Sequence, residues 1–160
     1  MEKYSTEGTV LDLLFRAARE NPSKTYCKSA DHEFTYHQFI SAIIKLSSKI
    51  SQKKIKNKYV GVLLPNSILF LIAYFAVLIS GNTPALLNFL LPEHALRKLL
   101  GDLQPSLVLS NKELSEYESL TLQIQDYLNI GLSDITEINH SCDGGDTAAA
   151  LFSGGTTGIP

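Results

Sequence analysis

The sequence predicts an α/β fold in which alternating strands and helices form a layered parallel sheet. Residues 59–64 form an apolar run too short for a helix and apolar on both faces, as expected of a strand covered on both sides. Residues 68–79 are uninterrupted apolar sequence of helical length, which predicts a buried helix directly after that strand. Further alternation downstream implies right-handed crossovers and a sheet with helices on its faces.

Two elements are predicted ahead of the sheet. Apolar residues recur at helical spacing over residues 10–20, and Pro22 ends this helix because it pushes Asn21 out of the helical conformation. Residues 25–27 and 33–35 are short strand candidates that we pair as a hairpin across a polar turn.

A second helix is predicted from a capping box. Thr35 can accept a hydrogen bond from the backbone N–H of Gln38, and the Gln38 side chain can reach back to Thr35. The helix that follows presents one broad apolar face. Its members are Phe39, Ile40, Ile43, Ile44, Ser47 and Ile50.

The boundaries of the buried helix also follow from local signals. Asn66 or Ser67 is predicted to cap its start, and Gly81 is predicted to end it in the left-handed conformation. Residues 83–87 are the next predicted strand.

The remaining elements are predicted in the same way. Pro92 is expected to open a helix at its first position and Gly101 to end it, with residues 106–109 as the following strand. Residues 120–128 have a weaker pattern that suits a helix. The last two predictions are an exposed turn at residues 142–146 and a central strand at residues 147–152.

Bulk properties exclude several classes of protein. The 160 residues carry 14 basic and 16 acidic side chains, interspersed and with a net charge of −2, so nucleic acid is not an expected partner. The one lysine cluster, at residues 53–58, is expected to be a solvated connection. Cys27 and Cys142 have no metal-ligand spacing, and no metal site is predicted.

Location is predicted from the apolar segments. Residues 1–8 have no apolar signal core, which predicts a cytoplasmic protein. The charge-free stretch 60–92 is interrupted at residues 65–67 and 80–82, so no membrane span is expected.

The residues with the clearest potential chemistry form a glycine-rich loop near the end of the chain. Its glycines allow close backbone approach, and its hydroxyls can donate to phosphate oxygens. It matches neither the GxxxxGK[ST] nor the GxGxxG spacing, and by itself such a cluster is more often a flexible tail than a phosphate site. The candidate phosphate contacts are Ser153, Gly154, Gly155, Thr156, Thr157 and Gly158.

This loop and three other segments resemble the adenylate-forming superfamily of acyl-CoA synthetases, nonribosomal peptide adenylation domains and luciferases. The sequence FSGGTTGIP at residues 152–160 is similar to the family's aromatic-T-S-G-T-T-G-x-P-K, and VGVLLPNS at 60–67 to its V-A-I-L-L-P-N-S. TYHQF at 35–39 looks like its T-Y-x-x-L, and AVLISGN at 76–82, followed by Leu87 and Asn88, like A-x-L-x-A-G-A and P-L-N.

The resemblance implies that residues 1–160 are an incomplete N-terminal subdomain of an AMP-binding domain, ending in a phosphate-binding loop at 153–160. The implied reaction activates a carboxylic acid with ATP, giving an acyl-adenylate that passes to a thiol such as coenzyme A or a carrier protein. No catalytic residue is expected within these residues, because the magnesium ligands and catalytic lysines of the family lie beyond residue 160. We therefore expect this chain alone to be inactive.

Two features of the sequence leave alternatives open. Gly154 stands where the family usually has serine, which removes one hydroxyl but keeps the backbone donors. A non-catalytic structural or interaction domain that retains the fold is the competing hypothesis. Self-association through exposed strand edges and apolar helix faces is a further expectation.

Overall fold

The computed structural model describes residues 8–132 and 146–152. The helices are α1 (Val10–Glu20), α2 (Tyr36–Gln52), α3 (Ile68–Ile79), α4 (Glu93–Leu103) and α5 (Gln125–Leu128). The strands are β1 (Thr25–Lys28), β2 (Glu33–Thr35), β3 (Tyr59–Leu63), β4 (Thr83–Leu86), β5 (Leu107–Ser110), β6 (Ser119–Thr121) and β7 (Ala150–Leu151). The predicted α/β class is confirmed.

The five-stranded sheet is parallel throughout. Its order is β6-β5-β3-β4-β7, so β3 lies at the centre and its neighbours pair with it on both sides. Alternate residues of β3 and β5 face two separate cores, as the period of two in a strand requires. Val62 belongs to the larger core and Leu63 to the smaller one.

The larger core is built by α2 and α3 against one face of the sheet. Helix α2 begins with the predicted capping box: Thr35 Oγ1 accepts from Gln38 N at 3.2 Å, and Gln38 Oε1 accepts from Thr35 N at 2.9 Å. Phe39 is fully buried, with its ring centroid 4.4 Å from that of Tyr26 on β1 and 5.9 Å from that of Phe75 on α3. This aromatic contact joins the predicted β1–β2 hairpin to both helices.

Helix α3 has the predicted bounds at both ends. Ser67 accepts a hydrogen bond from Phe70 N at 3.2 Å, which satisfies one of the free N–H groups of the first turn. Gly81 follows the helix with a φ of 72°, the left-handed conformation that glycine adopts without a steric cost.

A buried asparagine joins two turns at the amino ends of β3 and β4. Asn82 is 5% exposed, accepts from Lys58 N at 3.1 Å, and donates through Nδ2 to Ile55 O and to both oxygens of Ser80. We expect Asn82→Ala to lower the free energy of unfolding by about 2–3 kcal/mol, because it leaves buried backbone groups unpaired. Urea unfolding measures this, with the exposed Asn129→Ala as control; a change as small as the control's would contradict it.

The end of α4 differs from the prediction. Gly101 lies within the helix rather than after it, and the left-handed cap residue is Gln104, with a φ of 47°. Leu103 packs against the smaller core, so burial extends the helix beyond the glycine. Pro92 is also displaced by one position: it is the N-cap residue, and the helix begins at Glu93.

The interior position of Gly101 gives a test with a definite sign. Gly101→Ala should raise the free energy of unfolding by about 0.5–1 kcal/mol, because alanine loses less backbone freedom in a helix. A methyl group there meets no atom within 4 Å. Thermal and urea unfolding would measure the change, and a destabilised variant would instead place Gly101 at a left-handed helix end.

The predicted helix over residues 120–128 is wrong in its first half. Ser119–Thr121 pairs with β5 as a parallel edge strand, and only Gln125–Leu128 is helical. The pairing is decided by the free edge of β5, which local sequence does not reveal.

The last strand is shorter and placed differently than predicted. Of residues 147–152, Ala150 and Leu151 form β7, which pairs with β4 at one end of the strand order rather than at its centre. In the turn predicted at 142–146, only Asp146 lies within the described residues, where it is exposed.

Candidate functional site

The strand order creates a crevice at the carboxyl ends of β3 and β4. The chain leaves β3 for α3 on the face of the larger core, and it leaves β4 for α4 on the face of the smaller core. Two connections that depart toward opposite faces leave an opening between them, and open α/β sheets bind their ligands at such switch points. We therefore take this crevice as the candidate site.

The crevice has a volume of about 380 Å³ and a largely apolar lining. It is formed by the segment after β3, by the segment after β4, by Phe70 of α3 and by the end of β7. The lining residues are Leu64, Pro65, Asn66, Phe70, Leu86, Leu87, Asn88, Phe89, Leu90, Leu151 and Phe152.

The segment after β4 is held by a turn centred on Asn88. Leu87 N donates to Val62 O at 3.1 Å, which continues the sheet ladder to the start of this turn. Asn88 Oδ1 accepts from Leu90 N at 2.9 Å, and Asn88 O accepts from Leu91 N at 3.2 Å. These bonds set the position of Phe89 and leave Leu90 85% exposed at the crevice.

The segments that leave the carboxyl ends of β3 and β4 carry no charge, whereas the segment after β5 carries four charged side chains. In the described parts of these segments the only cation is Lys112, which follows β5. Its ammonium lies 5.0 Å from the ring centroid of Phe89. Glu116 is paired with Arg97 and Glu118 with Lys53, so two of the three carboxylates of residues 111–118 have cationic partners.

The predicted phosphate contacts, Ser153 to Gly158, lie outside the described residues, and their positions stay a prediction. The residue before them, Phe152, lines the crevice together with Asn66 and Asn88. These three residues each belong to a different one of the four segments that carried the family resemblance, and they meet at this one place. The fourth, which begins at Thr35, caps α2 instead.

Sequence reasoning missed Phe70, Phe89 and Leu90 as lining residues and Lys112 as a neighbour. Nothing in their local sequence distinguishes them from core or surface residues. Phe89 and Lys112 could have been found from their positions just after predicted parallel strands, because the carboxyl ends of such strands share one edge of the sheet.

The described groups whose pKa is shifted most strongly lie away from the crevice. Burial raises the pKa of Cys27 to about 11, so its thiol stays protonated and poorly nucleophilic. Burial, aided by Asp126, raises the pKa of Tyr127 to about 12. Neither residue lines the crevice.

The part of the chain that the structure describes contains no group of three His, Cys, Asp or Glu side chains placed to hold a metal ion.

A second, smaller pocket of about 160 Å³ lies beside α4. Its one cation is paired with two carboxylates: Arg97 Nη1 lies 2.6 Å from Glu116 Oε1, and Arg97 Nη2 lies 2.7 Å from Glu93 Oε1. Because these partners satisfy Arg97, the pocket offers no free cation to an anionic ligand.

Comparison with known proteins identifies the family. The model of the AMP-binding enzyme family matches residues 14–160, which includes every segment that forms the crevice. The chain belongs to the AMP-binding enzyme family. The predicted membership is thereby confirmed.

Curated members of the AMP-binding family resemble the chain over most of its length. A D-alanine–D-alanyl carrier protein ligase of Lactococcus lactis is 22% identical over 157 residues, which covers 94% of this chain and 32% of the ligase. Bacitracin synthase 3 of Bacillus licheniformis is 25% identical over 163 residues, which covers 97% of the chain and 2% of the synthase. The chain thus spans at most about a third of these two relatives.

Solved structures of AMP-binding enzymes share the fold. O-succinylbenzoate coenzyme A synthetase from Bacillus subtilis, in complex with AMP, superposes with a TM-score of 0.73 at 22% identity, over 91% of this chain and 39% of that one. The N-terminal subdomain of Klebsiella oxytoca NpsA superposes with a TM-score of 0.73 at 16% identity, over 93% of this chain and 39% of that one. The chain therefore has the fold of the N-terminal region of adenylating enzymes.

No helix among the described residues is both long enough and apolar enough to cross a bilayer.

Proposed function

We propose that the chain is the N-terminal part of a ligase that activates a carboxylic acid with ATP. The observation that carries the proposal is the position of Phe152, the residue before the glycine-rich loop, on the wall of the switch-point crevice. Phe152 lies where an open α/β sheet binds its ligand, which supports a phosphate-binding role for the segment that follows it in sequence.

In this proposal the loop holds the phosphates of ATP. The backbone N–H groups of Gly154, Gly155 and Gly158 and the hydroxyls of Ser153, Thr156 and Thr157 would donate to phosphate oxygens. The acid's carboxylate attacks the α-phosphorus, forming an acyl-adenylate and releasing pyrophosphate. The loop contributes by positioning the phosphates and stabilising their charge.

The acceptor of the acyl group is proposed from the activities of two relatives. One is a ligase that acts on a carrier protein and another is a long-chain-fatty-acid–CoA ligase. We propose a thiol acceptor of one of these two kinds, with magnesium held by residues outside 1–160.

ATP–pyrophosphate exchange tests the proposal. The 160-residue chain and the complete product of its gene should be assayed with D-alanine, a long-chain fatty acid and an aromatic acid. We expect exchange with one class of acid in the complete product and none in the 160-residue chain. Absence of exchange in both, together with absence of ATP binding, would favour the alternative of a non-catalytic interaction domain.

Self-association is a proposal that the apolar edge of the sheet supports. Leu151 and Leu90 are 76% and 85% exposed, and β7 is the last strand in the described order. Exposed strand edges and apolar surface favour pairing between chains. Sedimentation velocity should show a concentration-dependent mass; a monomer at all concentrations would contradict it.

A further inference from the structure

A lysine lies beside the crevice, and it carries a positive charge that the residues of the glycine-rich loop lack. Residues 153–158 contain hydroxyls and glycines but no basic side chain, whereas a triphosphate carries several negative charges. Backbone and hydroxyl donors hold phosphate in place but do not neutralise it. A positive side chain from another segment would supply the missing charge.

Lys112 is placed to do this by the order of the strands. It follows β5, which pairs with β3, and β3 pairs with β4 on its other side. Its side chain nevertheless reaches the segment after β4, where the ammonium lies 5.0 Å from the Phe89 ring centroid. Lys112 does not itself line the crevice, but it lies over a ring that does.

The backbone at Lys112 is held in place, and its charge is available. Lys112 N donates to Oγ of the fully buried Ser110 at 3.1 Å, which anchors the start of the segment. Among the described residues no carboxylate lies within ion-pair distance of the ammonium, while Glu116 and Glu118 are engaged by Arg97 and Lys53. An ammonium that lies against a phenyl face can still form an ion pair with an anion.

We propose that Lys112 contacts the terminal phosphates of ATP at this crevice. The inference rests on the proposed function, since it names a further residue for the same ligand. A lysine bound to the β- or γ-phosphate would favour ATP over AMP, because AMP lacks those groups. It would also make ATP affinity depend on salt concentration.

The test is an NMR titration of the 160-residue chain with ATP, inorganic tripolyphosphate and AMP, since chemical shifts detect millimolar binding. Lys112→Met, which keeps the apolar stem, should weaken ATP and tripolyphosphate binding about threefold to tenfold and leave AMP unchanged, as expected for one charge near a surface. Lys112→Arg should restore binding. Lys98→Met, which removes an exposed lysine of α4, is the matched control.

The outcomes separate this inference from the function on which it rests. ATP-induced shifts at residues 153–158 with unchanged affinity in Lys112→Met would overturn the role of Lys112 alone. Equal weakening of ATP and AMP would assign Lys112 a purely structural role and would also overturn it. Absence of any shift with ATP or tripolyphosphate would overturn the role of Lys112, and ATP–pyrophosphate exchange in the complete gene product would still decide the proposed function.

Discussion

Replacing Thr156 and Thr157 together by valine is expected to reduce ATP–pyrophosphate exchange in the complete gene product about 100-fold or more. Valine keeps the shape and branching of threonine but removes the hydroxyl donor. Loss of one well-placed donor to a developing negative charge typically costs about 10²–10³ in rate. The effect should appear mainly in the turnover number, because the hydroxyls act on charge that shifts along the phosphates during reaction.

Two controls make this result specific. Thr121 and Thr147 are exposed threonines outside the loop, and their replacement by valine should leave exchange within about twofold, as expected of surface substitutions. Gly154→Ser restores the usual hydroxyl of the family signature and should not lower exchange. If Thr156→Val/Thr157→Val retains normal exchange, the loop does not hold the phosphates in the way proposed.

Replacing Phe39 by alanine is expected to lower the free energy of unfolding by about 3–5 kcal/mol, the range for truncating a fully buried phenylalanine. The ring is 0% exposed and contacts the aromatic rings of Tyr26 and Phe75. Its removal would leave a cavity where the hairpin, α2 and α3 meet. Such a loss is a large part of the stability of a domain of this size.

Urea unfolding followed by circular dichroism would measure the effect. Phe39→Leu fills part of the cavity and should cost less than Phe39→Ala, which keeps the comparison measurable if the alanine variant is largely unfolded. Leu13→Ala on α1 is a suitable control, because Leu13 is 47% exposed. A loss of less than about 1 kcal/mol for Phe39→Ala, within the range of ordinary substitutions, would mean that the hairpin does not pack as described.

Local chemistry explains why several predictions were correct. The bounds of α3 follow from a serine cap, a stretch of twelve apolar residues and a glycine with positive φ, all of which lie within one segment. The capping box of α2 likewise needs only Thr35 and Gln38. These signals act between residues close in sequence, so the sequence is sufficient to locate them.

The incorrect predictions arose where distant contacts outweighed local preference. Gly101 resembles a helix end, yet Leu103 is held on the smaller core and the helix continues to it. The helix predicted over residues 120–128 fails at its start, because residues 119–121 pair with the free edge of β5. In both cases the deciding partner is supplied by another part of the chain.

The sequence by itself determined the α/β class and the family, because apolar periodicity and short motifs are local properties. The tertiary structure alone decided that β4 and β5 lie on opposite sides of β3. That order opens the crevice and brings Lys112 over Phe89 from two strands away. Strand order depends on which apolar faces pack together across the whole chain. No single segment of the sequence specifies that packing.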